Sequence, residues 1–343
     1  MTLNPVALLV SVIVPVHNGA EHIGVALESA LMQTHQNLEI IAVDDGSTDS
    51  TLSILENYAA RDARVRVFTQ PNGGVARARN RAIAESRGEF IAPLDADDLW
   101  QPTKITRQLH RLIEAGDVTG FVYSWWVWID DSGAVLDRSP RWTIEGDAFE
   151  RLLQVNFTGN ASVPLLRRSC VEEAGGYNEE LTAADAGGCE DWELVLRIAE
   201  RHRVAVVPEI LLGYRRRPGS MSTSCDRMWR SQQIVINEMH KLRPGLQPKI
   251  LQRSNQQFAF YLAGLSFWSR RFSATLRWAL RSGWRLFFLV SPYAAQIILH
   301  HDGRKRGSQT MLPGVGLDVK NLPEPLLPYH RFRMIGSGER DEI

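Results

Sequence analysis

FIAPLDADDLWQP, residues 90–102, runs an apolar strand straight into three carboxylates, Asp95, Asp97 and Asp98, and then into a tryptophan and a proline placed to open a helix. Ligands bind at the carboxyl ends of strands in open α/β sheets, and these three acids would lie there. Crowded together they repel one another, and a divalent cation removes that cost. Oxygen-only ligands favour Mg²⁺ or Mn²⁺, with water and substrate phosphate completing the shell. A solvated acidic turn that caps the next helix carries the same letters, so the flanking sequence has to decide.

Upstream, strand and helix alternate. Residues 8–14 (LLVSVIV) are a continuous apolar, β-branched run, as a strand buried on both faces of a parallel sheet requires. Ile23, Ala26, Leu27, Ala30 and Leu31 follow at helical spacing. Residues 38–43 form a second strand, GSTDST a loop and helix cap with Leu52 and Leu55 inward, and residues 65–69 a third strand. Residues 70–74 turn, 75–86 read as helix, 89–94 as a fourth strand, and Pro102 takes the first helical position of the next helix. Such alternation predicts a right-handed, doubly wound, mostly parallel sheet of Rossmann type. Downstream the pattern changes: an aromatic strand at 121–129, a turn at Asp130-Asp131-Ser132-Gly133, a strand at 135–138, a helix at 191–201, and two short strands at 204–207 and 210–215. From Met228 the chain reads as helices broken at Pro244, Pro248 and Pro292, and the last thirty residues have little periodicity.

Bulk properties bound the rest. At 343 residues, 44% hydrophobic and 23% charged, one large domain with an appendage is expected. A formal net charge of zero gives no reason to expect a nucleic-acid partner. Cys170, Cys189 and Cys225 are odd in number and lack metal-ligand spacing, so they read as reduced thiols. The apolar run at 7–16 is strand length and contains Pro15, unlike a signal peptide or a membrane span, so a cytoplasmic protein is expected.

Two further strand ends share the edge at which Asp95 lies. The first delivers Pro15-Val16-His17-Asn18 and the second Asp44-Asp45-Gly46-Ser47. A carboxylate there can accept the ring N–H of uracil or another base, and His17 offers a flat stacking face; an ordinary turn acid is the plainer alternative for Asp44 and Asp45. Gln70-Pro71-Asn72-Gly73-Gly74 leads into Val75-Ala76-Arg77-Ala78-Arg79-Asn80, and glycines with arginine at a helix start suit a diphosphate.

IVPVHNGAEHI, VDDGSTDST, NGGVARARN and LDADD, in this order and spacing, resemble the family 2 glycosyltransferases of GT-A fold, over about residues 8–222. The resemblance implies inversion at the anomeric carbon, a nucleotide-diphospho-sugar donor (a UDP-sugar first) and Mn²⁺ or Mg²⁺ on the D-x-D motif. It puts Pro15, His17, Asn18, Asp44, Asp45 and Arg79 at nucleotide-pocket positions, and Asp95, Ala96 and Asp97 at the metal-diphosphate motif, with Asp97 and Asp95 toward the metal. His17 stands where the family often has Tyr.

Three later segments fit the same resemblance. Gly187-Gly188-Cys189-Glu190-Asp191-Trp192 looks like its Glu-Asp motif. Inversion needs a carboxylate opposite the leaving diphosphate, which makes Asp191 the expected base and Glu190 its support; favourable acids at a helix start are the alternative. Residues 214–222 (YRRRPGSMS) are similar to the family's closing segment, with Arg217 where His is usual; arginine cannot ligate a cation but can neutralise a diphosphate. Gly175-Gly176-Tyr177-Asn178-Glu179 resembles an acceptor-side turn and is expected to be scaffold. Of Trp125, Trp126 and Trp128, alternating along one strand, one face is expected in the core and one or two rings at a sugar platform.

The expected organisation is a catalytic domain at 1–225 (nucleotide half 8–100, acceptor half 101–225), a basic and aromatic helical appendage at 226–310, and a tail at 311–343. From Arg230 to Arg306 there are thirteen Lys and Arg against two acids, Glu238 and Asp302. The appendage either packs its aromatics on the catalytic domain or touches an anionic membrane through 258–299, beside a glycan or lipid-linked acceptor. A sugar-phosphate nucleotidyltransferase, the rival enzyme class, would carry a basic Gly-rich loop after the first strand, and PVHNGAEHI has none. A non-catalytic nucleotide-sugar sensor would have no use for both Asp97 and Asp191.

Overall fold

The computed structural model describes residues 5–184, 186–217 and 224–283. Four parallel strands open the chain: β1 (Val10–Val16), β2 (Leu38–Asp44), β3 (Val65–Thr69) and β4 (Phe90–Pro93), separated by the helices α1 (Ile23–Leu31), α2 (Thr51–Arg61) and α3 (Val75–Glu85). Every residue of β1 and β2 is buried, which is why those segments read as unbroken apolar runs rather than alternating ones. Antiparallel and mixed pairing follows through β5 (Leu99–Trp100), β6 (Thr119–Ile129), β7 (Val135–Arg138), β8 (Leu165–Arg167) and β9 (Arg203–Arg215). The sheet order is β3-β2-β1-β4-β8-β6-β9-β5, with β7 paired to β6. This is the expected α/β, doubly wound, mostly parallel GT-A architecture.

The register fixes the functional edge. Val16 lies opposite Asp44, Asp44 opposite Thr69, and Ile13 opposite Pro93. The chain therefore leaves β1, β2 and β4 at neighbouring points of one edge, and each exit carries polar residues.

Two local expectations are corrected. Pro102 does not open a helix: α4 (Lys104–Glu114) starts two residues later, because the Pro102 carbonyl accepts the Thr34 amide (2.8 Å) and Gln33 Oε1 caps the Ile105 amide (3.0 Å). Pro248 does occupy a helix start. The two short strands expected at 204–207 and 210–215 are one strand, β9. Its register against β6 jumps from Ser124↔Val207 to Trp125↔Ile210, so exposed Pro208 and Glu209 form a bulge that spares proline a ladder bond it cannot make.

The remaining helices are α5 (Phe149–Gln154), α6 (Arg168–Glu173), α7 (Glu180–Ala183), α8 (Glu190–Arg201), α9 (Cys225–Leu242), α10 (Pro248–Trp268) and α11 (Phe272–Ser282). One large apolar cluster joins both sheet faces to α1, α4 and α8. A second, smaller one links α9, α10 and α11 around Trp278. The three cysteines are buried and free. Among the described residues no helix is long and apolar enough to cross a membrane. The expected closing-loop residues 218–222, the appendage beyond residue 283 and the tail at 311–343 lie outside the described residues.

Candidate active site

The first two strand exits are locked together by short side-chain bonds. Asn18 sits in the left-handed region (φ 50°), which Asn tolerates better than most residues. There its Oδ1 accepts the Thr48 amide (2.8 Å) and its own amide donates to Ser47 Oγ (2.9 Å). His17 is exposed and donates from Nδ1 to the Asp45 carbonyl (2.9 Å), which fixes its ring over the strand ends. Gly19 follows, where an added Cβ would lie 2.7 Å from the Val16 side chain and 3.5 Å from Ala96; the β1 exit thus closes on the D-x-D segment. Pro15 is buried within β1, opposite Val43.

Adjacent Asp44 and Asp45 do different work. Both oxygens of Asp45 are used: Oδ1 accepts Gln70 Nε2 (2.7 Å) and the Gly73 amide (2.9 Å), and Oδ2 accepts the Gly74 amide (2.8 Å). Asp45 therefore builds the glycine turn that starts α3. Asp44 accepts only the Ser47 amide (3.2 Å) on Oδ2; its Oδ1 is buried and has no partner. A buried carboxylate oxygen left without a donor is costly, and a water or ligand N–H or O–H would relieve it.

Arg79 is not at an open helix end, where the sequence suggested an anion-binding arginine. It is 2% exposed, with Nη2 on Asp95 Oδ1 (2.7 Å), Nη1 on Glu190 Oε1 (2.9 Å), and the Tyr177 ring 5.1 Å from its guanidinium. One buried cation thus ties the strand exit carrying D-x-D to the helix start carrying Glu-Asp, 111 residues away. Asn80 holds the segment containing Tyr177, accepting the Tyr177 amide on Oδ1 (2.8 Å) and donating to the Tyr177 carbonyl (2.9 Å). The Gly175–Glu179 turn thus supports Arg79.

Within the Glu-Asp pair, Glu190 is fully engaged: its Oε2 accepts the Gly188 amide (3.0 Å) while Oε1 holds Arg79. Asp191 accepts only its neighbouring Trp192 amide (2.7 Å). Burial, then repulsion from Glu190, raise the Asp191 carboxyl to about 7; Arg79 opposes the shift. A carboxylate titrating near neutrality can hold and release a proton.

Asp97 carries the other arginine, with Arg217 Nε 3.0 Å from Oδ2 as an ion pair whose N–H is not aligned for a hydrogen bond. Burial first and Asp95 second hold the Asp97 carboxyl above its usual range, and Arg217 opposes them. Two crowded, partly desolvated carboxylates supplying only oxygen fit Mg²⁺ or Mn²⁺ held by one or two carboxylates, with phosphate and water completing the shell. Among the described residues no three His, Cys, Asp or Glu are grouped as a metal cage.

Several supporting roles were not legible in the sequence. Asp98 is fully buried and accepts Asn160 Nδ2 (2.6 Å) and the Arg215 amide (3.0 Å), unlike its exposed-looking place in an acidic run. Arg215 donates Nε to the Asp97 carbonyl (2.7 Å) and Nη1 to the Asp130 (2.5 Å) and Asp131 (2.8 Å) carbonyls, pinning D-x-D to the β6–β7 turn. Ser162 Oγ accepts the Asp95 amide (2.9 Å). Asn160 and Ser162 lie in a loop with no motif, and only tertiary proximity reveals them. Of the tryptophans, Trp126 and Trp128 share the buried face with rings 6.1 Å apart, and Trp125 is half-buried on the other, donating to the Trp142 carbonyl (2.8 Å).

A parallel-sheet edge with an orphaned carboxylate oxygen at Asp44, a D-x-D exit and a Glu-Asp pair tied to it through Arg79 make up one candidate site. Residues 11–163 match the model of glycosyl transferase family 2. Relatives include a putative glycosyltransferase EpsH of Bacillus subtilis (36% identical, over 48% of each chain). Another is a putative teichuronic acid biosynthesis glycosyltransferase TuaG of the same organism (37% identical, 38% of this chain and 51% of the relative). The chain spans about a quarter to a half of the length of the curated relatives it matches. Similar solved folds include S. aureus TarS 1–349 in complex with UDP-GlcNAc (TM-score 0.56, 16% identical, 81% of this chain and 91% of that one). The Pyrobaculum calidifontis mannosyltransferase PcManGT in complex with GDP-Man and Mn²⁺ is similar too (TM-score 0.53, 18% identical, 84% and 80%).

Proposed function

We propose that the chain is an inverting family 2 glycosyltransferase that uses Mg²⁺ or Mn²⁺ and moves a sugar from a nucleotide-diphospho-sugar, a UDP-sugar first, to a hydroxyl of a glycan or lipid-linked acceptor. Cell-surface polysaccharide or glycolipid synthesis from the cytoplasmic side is the setting that suits such an acceptor. The observation that carries this reading is the Arg79 bridge, which keeps a donor-side carboxylate, Asp95, one ion pair away from a carboxylate pair whose Asp191 titrates near neutrality. The UDP-GlcNAc, GDP-Man and Mn²⁺ named for the similar folds, and the teichuronic acid named for TuaG, support it.

The unpartnered Asp44 Oδ1 accepts the base N–H, and His17 stacks on the base beside Pro15 and Asn18. Asp45 keeps the glycine turn shaped for the nucleotide. Asp97 and Asp95, with Ala96 between them, would hold the divalent cation, which would supply charge stabilisation to the departing diphosphate. Arg217 turns from Asp97 to the same phosphates. Asp191 takes the acceptor hydroxyl's proton as that oxygen bonds to the anomeric carbon; the bond from that carbon to the diphosphate oxygen breaks, and its electron pair leaves with the nucleoside diphosphate. Glu190, committed to Arg79, positions the base.

Titration calorimetry with UDP-, GDP- and dTDP-sugars, with and without Mn²⁺, tests this. One donor class should bind more tightly with Mn²⁺. Asp97→Ala should lose that metal dependence. Asp191→Asn should keep donor binding and lose transfer by at least about a hundredfold. Indifference to every activated sugar would falsify the reading, and normal turnover by Asp191→Asn would remove Asp191 as the base.

A further inference from the structure

Among the described residues nine large apolar side chains are exposed, and five lie on the last three helices: Leu242 on α9, Tyr261 on α10, and Phe272, Leu276 and Leu280 on α11. The three on α11 recur every fourth residue, so they form one line along a single face, and they are 66, 52 and 53% exposed. The inner face of the same helix is already satisfied: Trp278 and Ala279 are buried against Cys225, Met228, Ala259, Leu262 and Ala263. A helix lying on a globular body turns one apolar stripe inward and polar residues outward. α11 turns an apolar stripe each way.

Cations border the outer line. Arg277 and Arg281 occupy the adjacent row, and exposed Arg270 precedes the helix. Arg277 meets Asp226 at 2.9 Å, and Arg281 lies over the Trp229 ring at 4.6 Å, so both guanidinium groups are held between the stripe's helix and α9. The sequence from 239 to 301 contains no Asp or Glu. We propose that α11 is a docking surface for an anionic membrane, with Phe272, Leu276 and Leu280 entering the headgroup layer and Arg270, Arg277 and Arg281 meeting lipid phosphates. Charge selects this occupant. A second copy placed face to face would bring two arginine rims together, and the segment that follows directly, 284–306, is itself basic. Hydrophobic insertion of a short amphipathic helix together with attraction to anionic headgroups suffices for peripheral attachment. The inference goes beyond the proposed transfer reaction and does not depend on it.

Flotation of the full-length chain with phosphatidylcholine vesicles, with and without phosphatidylglycerol, at low and high salt, tests the surface. Wild type should float with the anionic vesicles, and salt should weaken the association. The F272S/L276S/L280S variant should lose at least about tenfold of the binding. Arg270→Gln, Arg277→Gln and Arg281→Gln should each lose about fivefold. Unchanged far-UV circular dichroism and unchanged donor binding establish that the variants are folded. Wild type that ignores anionic vesicles, or a triple variant that binds them equally well, overturns the proposal. A wild-type dimer in light scattering that the triple variant splits also overturns it, by placing a second copy on this face.

Discussion

Asp191 and Glu190 are neighbours in sequence with opposite surroundings, and the difference has consequences that can be measured. Glu190 spends both oxygens on Arg79 and Gly188, whereas Asp191 is half-buried beside that charge with one amide for a partner. Its carboxyl, raised from 3.8 to about 7, makes ionisation costly in the folded chain. That cost is absent below about pH 4 and complete above about pH 7, so Asp191 subtracts stability as pH rises through this window. Asp191→Asn should therefore be more stable than wild type at pH 8, by on the order of 2–4 kcal/mol, with the gap closing toward pH 4. Thermal melts across that range check it; a gap that does not change with pH refutes the shift. Transfer by wild type should fall about tenfold per unit below pH 6, since only the carboxylate accepts a proton, and a pH–rate profile reads this directly. The acidic letters at 190–191 were legible in the sequence, but which acid is free was not, because that depends on an arginine 111 residues away.

The elements act through α3. Its first turns carry Arg79 under the sheet edge and Asn80 against the Tyr177 segment, so one helix braces the strand exit of β4 and the start of α8. Removing one partner of a buried ion network leaves uncompensated charge, which costs more than the network gains. Arg79→Met should destabilise the chain by about 3–5 kcal/mol in urea unfolding. Adding Glu190→Gln should recover part of that loss, because the orphaned carboxylate is then gone. A loss below about 1 kcal/mol would show that water already screens the bridge. Helix α3 was readable from residues 75–86. The inward aim of Arg79 was not, since NGGVARARN describes equally well a helix start facing solvent anions. Pro102 makes the same point from the other side: proline permits a first helical position, but the Gln33 cap and the Thr34 bond moved the start to Lys104.

On the scale of the whole molecule, two cores divide the labour. The large one holds the sheet and the candidate site, while Trp278, 1% exposed, anchors the smaller one between α9, α10 and α11. Trp278→Ala should cost about 3–5 kcal/mol of the stability of that helical layer. Hydrogen exchange should show lost protection in α10 and α11 and retained protection in β1, β2 and β4; uniform loss would mean that the two cores unfold as one. The sequence by itself determined the α/β order, the buried parallel strands and the acids at their exits, because burial on both faces and turn chemistry leave marks within a few residues. Only the tertiary structure decided that Asp45 is spent on a turn while Asp44 is left open, and that Arg79 and Arg217 each hold a carboxylate of D-x-D. It also decided that Asn160, Ser162 and Arg215 back the site. A side chain's partner and solvent are set by what folding brings beside it, and charge, hydrogen bonding and desolvation depend on distance in space, not along the chain.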